Sequence, residues 1–182
     1  MNYNHMSKNE LIEELNKKDK IIKRMKYIFG RDPVTSVYNR KLGLEKLHRE
    51  IKLAKINKGN LIITFADVNN LKYINDNYGH DTGDYVLETL CSIIKNNIRK
   101  REFIFRYGGD EFIIVFLKSN MNDANKILFR IQNEIDELGE DLEYKMGLSY
   151  GLVEYNKNTD KTIEDLIKIA DYRMYENKRE IG

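Results

Sequence analysis

The chain has 182 residues, enough for one domain and an appendage, and its 41% hydrophobic content suffices for a core. With 33% charged residues and a single proline it reads as helix-rich, and a formal net charge of +2 gives no electrostatic case for a nucleic-acid partner. No run reaches the roughly 18 apolar residues of a membrane helix, the polar N-terminus is no signal peptide, and the lone Cys91 excludes an intrachain disulfide. A soluble, cytoplasmic protein without membrane contact in this chain is the expectation.

Residues 7–29 read as a charged helix opened by a capping box, Ser7 with Glu10 three positions on. Leu11, Leu15, Ile22, Met25 and Phe29 fall near heptad spacing, with Lys18 interrupting the seam. Two readings stay open, a short dimerising stalk or a helix packed on its own domain. Gly30 and Pro33 break the pattern, and Asp32-Pro33-Val34-Thr35 reads as a turn. A second helix is expected over residues 39–57, closed by Lys58-Gly59-Asn60. Leu61 to Ala66 is almost continuously apolar, as in a central strand covered on both faces, and it ends in Asp67. The carboxyl end of a buried strand is where α/β folds tend to place ligand chemistry.

The segment from Asp67 to Asp84 is dense in polar residues, among them Asn69, Lys72, Asn75, Asp76 and His80. Leu71, Ile74 and Tyr78 give a short helix its apolar side, and Gly79 ends it. Asp81 is expected to cap the next helix, residues 83–100, in which Cys91 sits as a small buried apolar residue. The spacing of Asp67 and Asn69 lacks the glycine and glutamate that a calcium loop requires.

The stretch Arg106-Tyr107-Gly108-Gly109-Asp110-Glu111-Phe112 lies between two aromatic and β-branched runs, Phe103-Ile104-Phe105 and Phe112 to Phe116, which read as strands. The paired glycines suggest a tight hairpin with positive φ angles. A plain hairpin has no need of Asp110 and Glu111 against an apolar strand. Burying their charge costs several kcal/mol unless something positive, such as a metal ion, compensates. An amphipathic helix over 121–138, a strand over 144–155 and a helix over 162–178 complete the chain. This order predicts an α/β (α+β) sandwich of the ferredoxin-like or polymerase-palm type, a mostly antiparallel sheet flanked by helices. Asp67 and Asp110 then converge at one sheet edge, where hard oxygen ligands suit Mg²⁺ or Mn²⁺ holding phosphates. The Gly-rich loop of a P-loop nucleotidase is missing from the sequence.

Gly108-Gly109-Asp110-Glu111-Phe112 resembles the signature of the GGDEF family, the diguanylate cyclases, and the likeness runs in order along the chain. Residues 32–40, Asp-Pro-Val-Thr-Ser-Val-Tyr-Asn-Arg, are similar to the family's opening motif D-x-L-T-x-L-x-N-R. Asp67-Val68-Asn69-Asn70-Leu71-Lys72, with Asn75-Asp76, Gly79-His80 and Gly83-Asp84, resembles its D-x-D-x-F-K-x-x-N-D-x-x-G-H-x-x-G-D block. Ala170-Asp171, Met174-Tyr175 and Lys178 resemble its closing motif. The implied organisation is a helical stalk over residues 1–30 and a GGDEF domain over 31–182.

The resemblance implies a nucleotidyl transfer that joins two GTP into cyclic di-GMP and releases two pyrophosphates. Two copies would meet face to face, each supplying half of the active site. Asp67, the Val68 carbonyl and Asp110 would hold Mg²⁺ or Mn²⁺, with Glu111 joining. Asp110 or Glu111 would help deprotonate the ribose 3′-hydroxyl. Lys72 would meet the triphosphate beside the backbone of Gly108 and Gly109, with Lys178 as a second phosphate contact. Asn75 and Asp84 would read guanine, since a carboxylate accepts two N–H bonds that adenine cannot offer. His80 would lie at the substrate or serve structure after Gly79.

Some positions depart from the pattern: Asn69 replaces the second aspartate and Leu71 the usual phenylalanine. The family's product-inhibition motif R-x-x-D corresponds to Arg99-Lys100-Arg101-Glu102, whose longer acid puts feedback inhibition in doubt. A catalytically silent module that binds GTP or cyclic di-GMP is the competing reading.

Overall fold

The computed structural model describes residues 6–156 and 158–181. The order is α1 (Lys8–Phe29), α2 (Arg40–Asn57), β1 (Leu61–Val68), α3 (Leu71–Tyr78), α4 (His80–Asn97), β2 (Phe103–Arg106), β3 (Glu111–Leu117), α5 (Met121–Gly139), β4 (Leu148–Tyr155) and α6 (Ile163–Ile181). The strands form one antiparallel sheet in the order β2-β3-β1-β4, the ferredoxin-like arrangement expected from the sequence. The apolar run of β1 is explained by its position, because it pairs on both sides and is covered on both faces.

Alternation along β1 feeds two separate cores. Ile62, Ala66 and Val68 face a layer built with Leu90, Ile94, Leu128 and Ile131 of α4 and α5. Leu61, Ile63 and Phe65 face the opposite layer, with Leu47 of α2 and Leu166, Ala170 and Met174 of α6. Cys91 is buried in the first layer, as expected, and burial pushes its thiol up to about 12, so it is inert at neutral pH. Two contacts set how closely helices lie on the sheet. An added Cβ at Gly43 would meet Phe105 side-chain atoms at 2.1 Å, and one at Gly151 would meet the Met174 amide nitrogen at 2.2 Å. The second is backbone against backbone and has no flexible side chain to yield.

Several local expectations shift. The strand expected from Tyr144 begins at Leu148, although Met146 is already buried. The fourth helix runs over residues 80–97 rather than 83–100, and Asp81 lies within its first turn. Its N-cap is Gly79, with no side-chain cap and a φ of 88°, and the same residue closes α3. Only glycine holds that angle without strain, so α3 and α4 turn on one residue. The central loop spans residues 107–110 without positive φ at Gly108 or Gly109. An added Cβ at Gly108 would meet Glu111 Oε2 at 2.2 Å, the tip of a flexible side chain, whereas Gly109 faces open room.

The α1 capping box forms as expected, Ser7 and Glu10 bonding reciprocally. Beyond it, α1 leaves Leu15 65% and Phe29 73% exposed, along with Ile22 and Met25. Among the described residues, no helix is long and apolar enough to cross a membrane.

Replacing Gly151 by alanine should push α6 off β4 and cost about 1–3 kcal/mol in unfolding free energy, measured by urea denaturation.

Candidate functional site

The central loop is held from behind by one arginine. Arg106 closes β2, and its Nε donates to the carbonyl oxygens of Gly108 and Gly109 at 3.2 and 3.0 Å, while Nη2 reaches Gly109 at 2.6 Å. The far side of the guanidinium meets both oxygens of Asp32, at 3.0 and 3.2 Å. Asp32 also accepts from the amide and hydroxyl of Thr35, which closes the turn read from the sequence. Burial works against the charged form of Asp32, but the Thr35 bonds and Arg106 outweigh it and hold the carboxyl below its usual range. On the other flank Tyr107 packs edge-on to Phe65 at 5.5 Å, under the Arg40 guanidinium at 4.2 Å from its ring. Loop amides close the turn, with Tyr107 and Gly108 N–H both directed at the Glu111 carbonyl.

Pinned in this way, the loop sets two groups of side chains against each other. Toward α3 and α4 lies a groove of about 410 Å³ lined by Lys72, Asn75, His80, Asp84, Gly109 and Asp110. Lys72, His80 and Asp84 are exposed to it. Asn75 is half-buried and seated on Gly83, where an added Cβ would stand 1.8 Å from its Oδ1. Gly83 therefore makes room for the amide.

On the sheet side, Asp67 and Glu111 are register partners on β1 and β3, and the Val68 amide donates to the Asp110 carbonyl at 3.0 Å. Burial raises the Asp67 carboxyl above its ordinary value; Lys178 pulls it down, and Asp110 and Asp171 push it up again. Glu111 is raised by burial and then by Asp110, Asp171 and Asp67, with Arg40 opposing. These four carboxylates share one field. Such a concentration of hard oxygen donors fits a divalent cation, which would relieve their repulsion. Among the described residues, no three His, Cys, Asp or Glu side chains are gathered into a ligand cage. Instead the Lys178 Nζ sits on Asp67 Oδ1 at 2.5 Å.

Arg106, Asp171 and Arg40 join the site only in the fold; the signal for Asp171 is its place two helical turns from Lys178 on one face of α6. Asn69 is engaged between strands: its Oδ1 accepts from Ser149 Oγ at 2.8 Å, and its backbone N–H donates to the Gly147 carbonyl, linking the end of β1 to the start of β4. Arg99 and Glu102 stand apart, on a smaller cavity of about 210 Å³. Glu102 is buried, with Oε2 accepting from the Arg99 amide at 2.7 Å and Oε1 without a hydrogen-bond partner.

The match to known proteins agrees with this geometry. Residues 30–182 match the model of the diguanylate cyclase GGDEF domain, and the chain belongs to the GGDEF family. It is 35% identical over 156 residues to the diguanylate cyclase DosC of Escherichia coli strain K12, covering 82% of this chain and 33% of DosC. Diguanylate cyclase DgcP of the same organism is 31% identical over 178 residues, covering 96% of this chain and 51% of DgcP. The chain thus spans about a third to a half of the length of these relatives. The coiled coil and GGDEF domain of Caulobacter crescentus DgcB, solved with c-di-GMP, superposes with a TM-score of 0.80 at 22% identity over 94% of this chain and 92% of that one. The GGDEF domain of TpbB from Pseudomonas aeruginosa gives 0.74 at 30% identity, covering 82% and 89%.

Because Asp32 is held below its usual pKa, its contribution to stability is present above about pH 4 and lost as pH falls through the folded value. Asp32→Asn should therefore destabilise the domain by about 1–3 kcal/mol at pH 7. The difference should shrink below about pH 4, when both proteins are unfolded in urea.

Proposed function

We propose that the chain is the synthetic domain of a diguanylate cyclase, which joins two GTP into cyclic di-GMP and releases two pyrophosphates. The observation that carries this reading is the juxtaposition at the loop: one groove gathers Lys72, Asn75, His80, Asp84 and Asp110, and Asp110 borders the carboxylate cluster. A nucleotide lying along that groove meets base-reading groups at one end and phosphate-handling groups at the other.

Asn75 and Asp84 recognise guanine, the carboxylate accepting from the two N–H groups of its edge. Lys72 and the open backbone around Gly109 receive the triphosphate. Mg²⁺ or Mn²⁺ held by Asp67, the Val68 carbonyl, Asp110 and Glu111 would neutralise phosphate charge and acidify the attacking hydroxyl. The ribose 3′-oxygen bonds to the α-phosphorus of the other nucleotide, the bond to the β-phosphate oxygen breaks, and the proton passes to Asp110 or Glu111. Each chain presents one such half-site, so the reaction calls for two copies face to face. The exposed residues Leu15, Ile22, Met25 and Phe29 of α1 support residues 1–30 as a dimerising stalk that raises the local concentration of the domains over 31–182.

The departures fit this reading. Asn69 serves the β1–β4 junction, so its missing charge is not missing from the metal. Glu102 is turned inward on its own loop, which supports a cyclase without feedback through Arg99 and Glu102. The silent-module alternative draws on the ungathered carboxylates and is separated by assay.

Incubation with GTP and Mg²⁺ should yield cyclic di-GMP by chromatography, with specific rate rising with protein concentration. Asp110→Ala should lower that rate at least about 100-fold while the melting temperature holds. GTP bound without product would favour the silent module. Asp84→Ala should reduce the preference for GTP over ATP about 10- to 100-fold, read from the ratio of kcat/KM values.

A further inference from the structure

Lys178 makes a contact that a phosphate-binding role alone does not call for, an ion pair with Asp67. Asp67 has a side chain only 14% exposed, and its other charged neighbours, Asp110 and Asp171, are negative. Among the described residues Lys178 is the one cation paired with it. Its position is set by the fold: α6 is pressed onto β4 at Gly151, and Arg173 Nη1 donates to the Leu152 carbonyl at 2.6 Å. These contacts fix the helix from which Lys178 extends. The side chain itself is 45% exposed on a flexible four-carbon stem, free to leave without disturbing the core.

An ammonium hydrogen-bonded to Asp67 Oδ1 and a divalent ion on the same carboxylate repel each other and compete for its charge. The triphosphate, rich in oxygens, offers the displaced ammonium a new partner. We infer that Lys178 is a tethered stand-in cation: it neutralises Asp67 while the site is metal-free, and moves to the phosphates when metal and nucleotide bind. One side chain then couples the two ligands. Metal alone has to displace the lysine into water, whereas metal arriving with nucleotide gives it a phosphate. Lys178 acts here as a positioning residue, and the inference rests on Asp67 being a metal ligand, as proposed above.

The test is binding of Mn²⁺ alone, without nucleotide, followed by the loss of the free-ion electron paramagnetic resonance signal. Lys178→Met should bind Mn²⁺ about fivefold tighter than the wild type, the scale of a partly exposed ion pair. Lys178→Gln should do the same, and Lys178→Arg, which keeps the pair, should bind no tighter than wild type. Arg179→Met removes the same charge one residue away and should leave the affinity unchanged. Equal tightening by Arg179→Met, or none by Lys178→Met and Lys178→Gln, overturns the inference. Asp67→Asn separates the two readings. Weakened Mn²⁺ binding in that variant keeps the metal assignment even if the lysine result fails, and unchanged binding removes both.

Discussion

The site depends on where one guanidinium can reach. Arg106 ends an edge strand, yet its planar fork spans from the Asp32 carboxylate to the Gly108 and Gly109 carbonyls. A lysine ammonium is a compact point charge without that fork and would not span the same partners from one side chain. The bridge determines which way the loop faces: its carbonyls turn back toward Arg106, leaving Asp110 to the groove and Glu111 to the sheet edge. It also ties the turn before α2 to the loop, so the chemistry and the start of the domain are mechanically one piece.

The two-sided core explains how so much negative charge is kept at one end of the sheet. Strand β1 is buried on both faces and apolar but for Thr64 up to Asp67, the one half-buried position in the strand. Register then delivers Glu111 opposite it, and α6, pressed on β4, brings Asp171 and Lys178. Desolvation and mutual repulsion raise Asp67 and Glu111, a local cost that the stability of the surrounding layers sustains.

Much of this was legible in the sequence, and the exceptions share a cause. Periodicity indicated the longer helices, apolar and β-branched runs the central strands, and the switch from apolar run to Asp67 pointed to the site. The four ordered motifs, Asp32 to Arg40, Asp67 to Asp84, Gly108 to Phe112 and Ala170 to Lys178, indicated the family. What local pattern could not carry was pairing across distance. Arg106 meets Asp32 seventy-four positions away, and Lys178 meets Asp67 across 111. Nor could it carry torsion: the paired glycines suggested a positive-φ turn, whereas among the described glycines the positive φ lies at Gly79. Glu102 read as a longer substitute for aspartate, and only the fold shows its side chain folded back on its own loop.

Gly79 has a consequence for how the groove can vary. Asn75 hangs from α3 and Asp84 from α4, and the two helices meet at this single backbone angle. Leu71 and Ile74 of α3 pack in the same core layer as Val86 and Leu87 of α4, so the separation of Asn75 and Asp84 is set by that turn together with the layer beneath it. A base held by both side chains, as in the proposed function, would act as a strut across that turn and stiffen the helix pair.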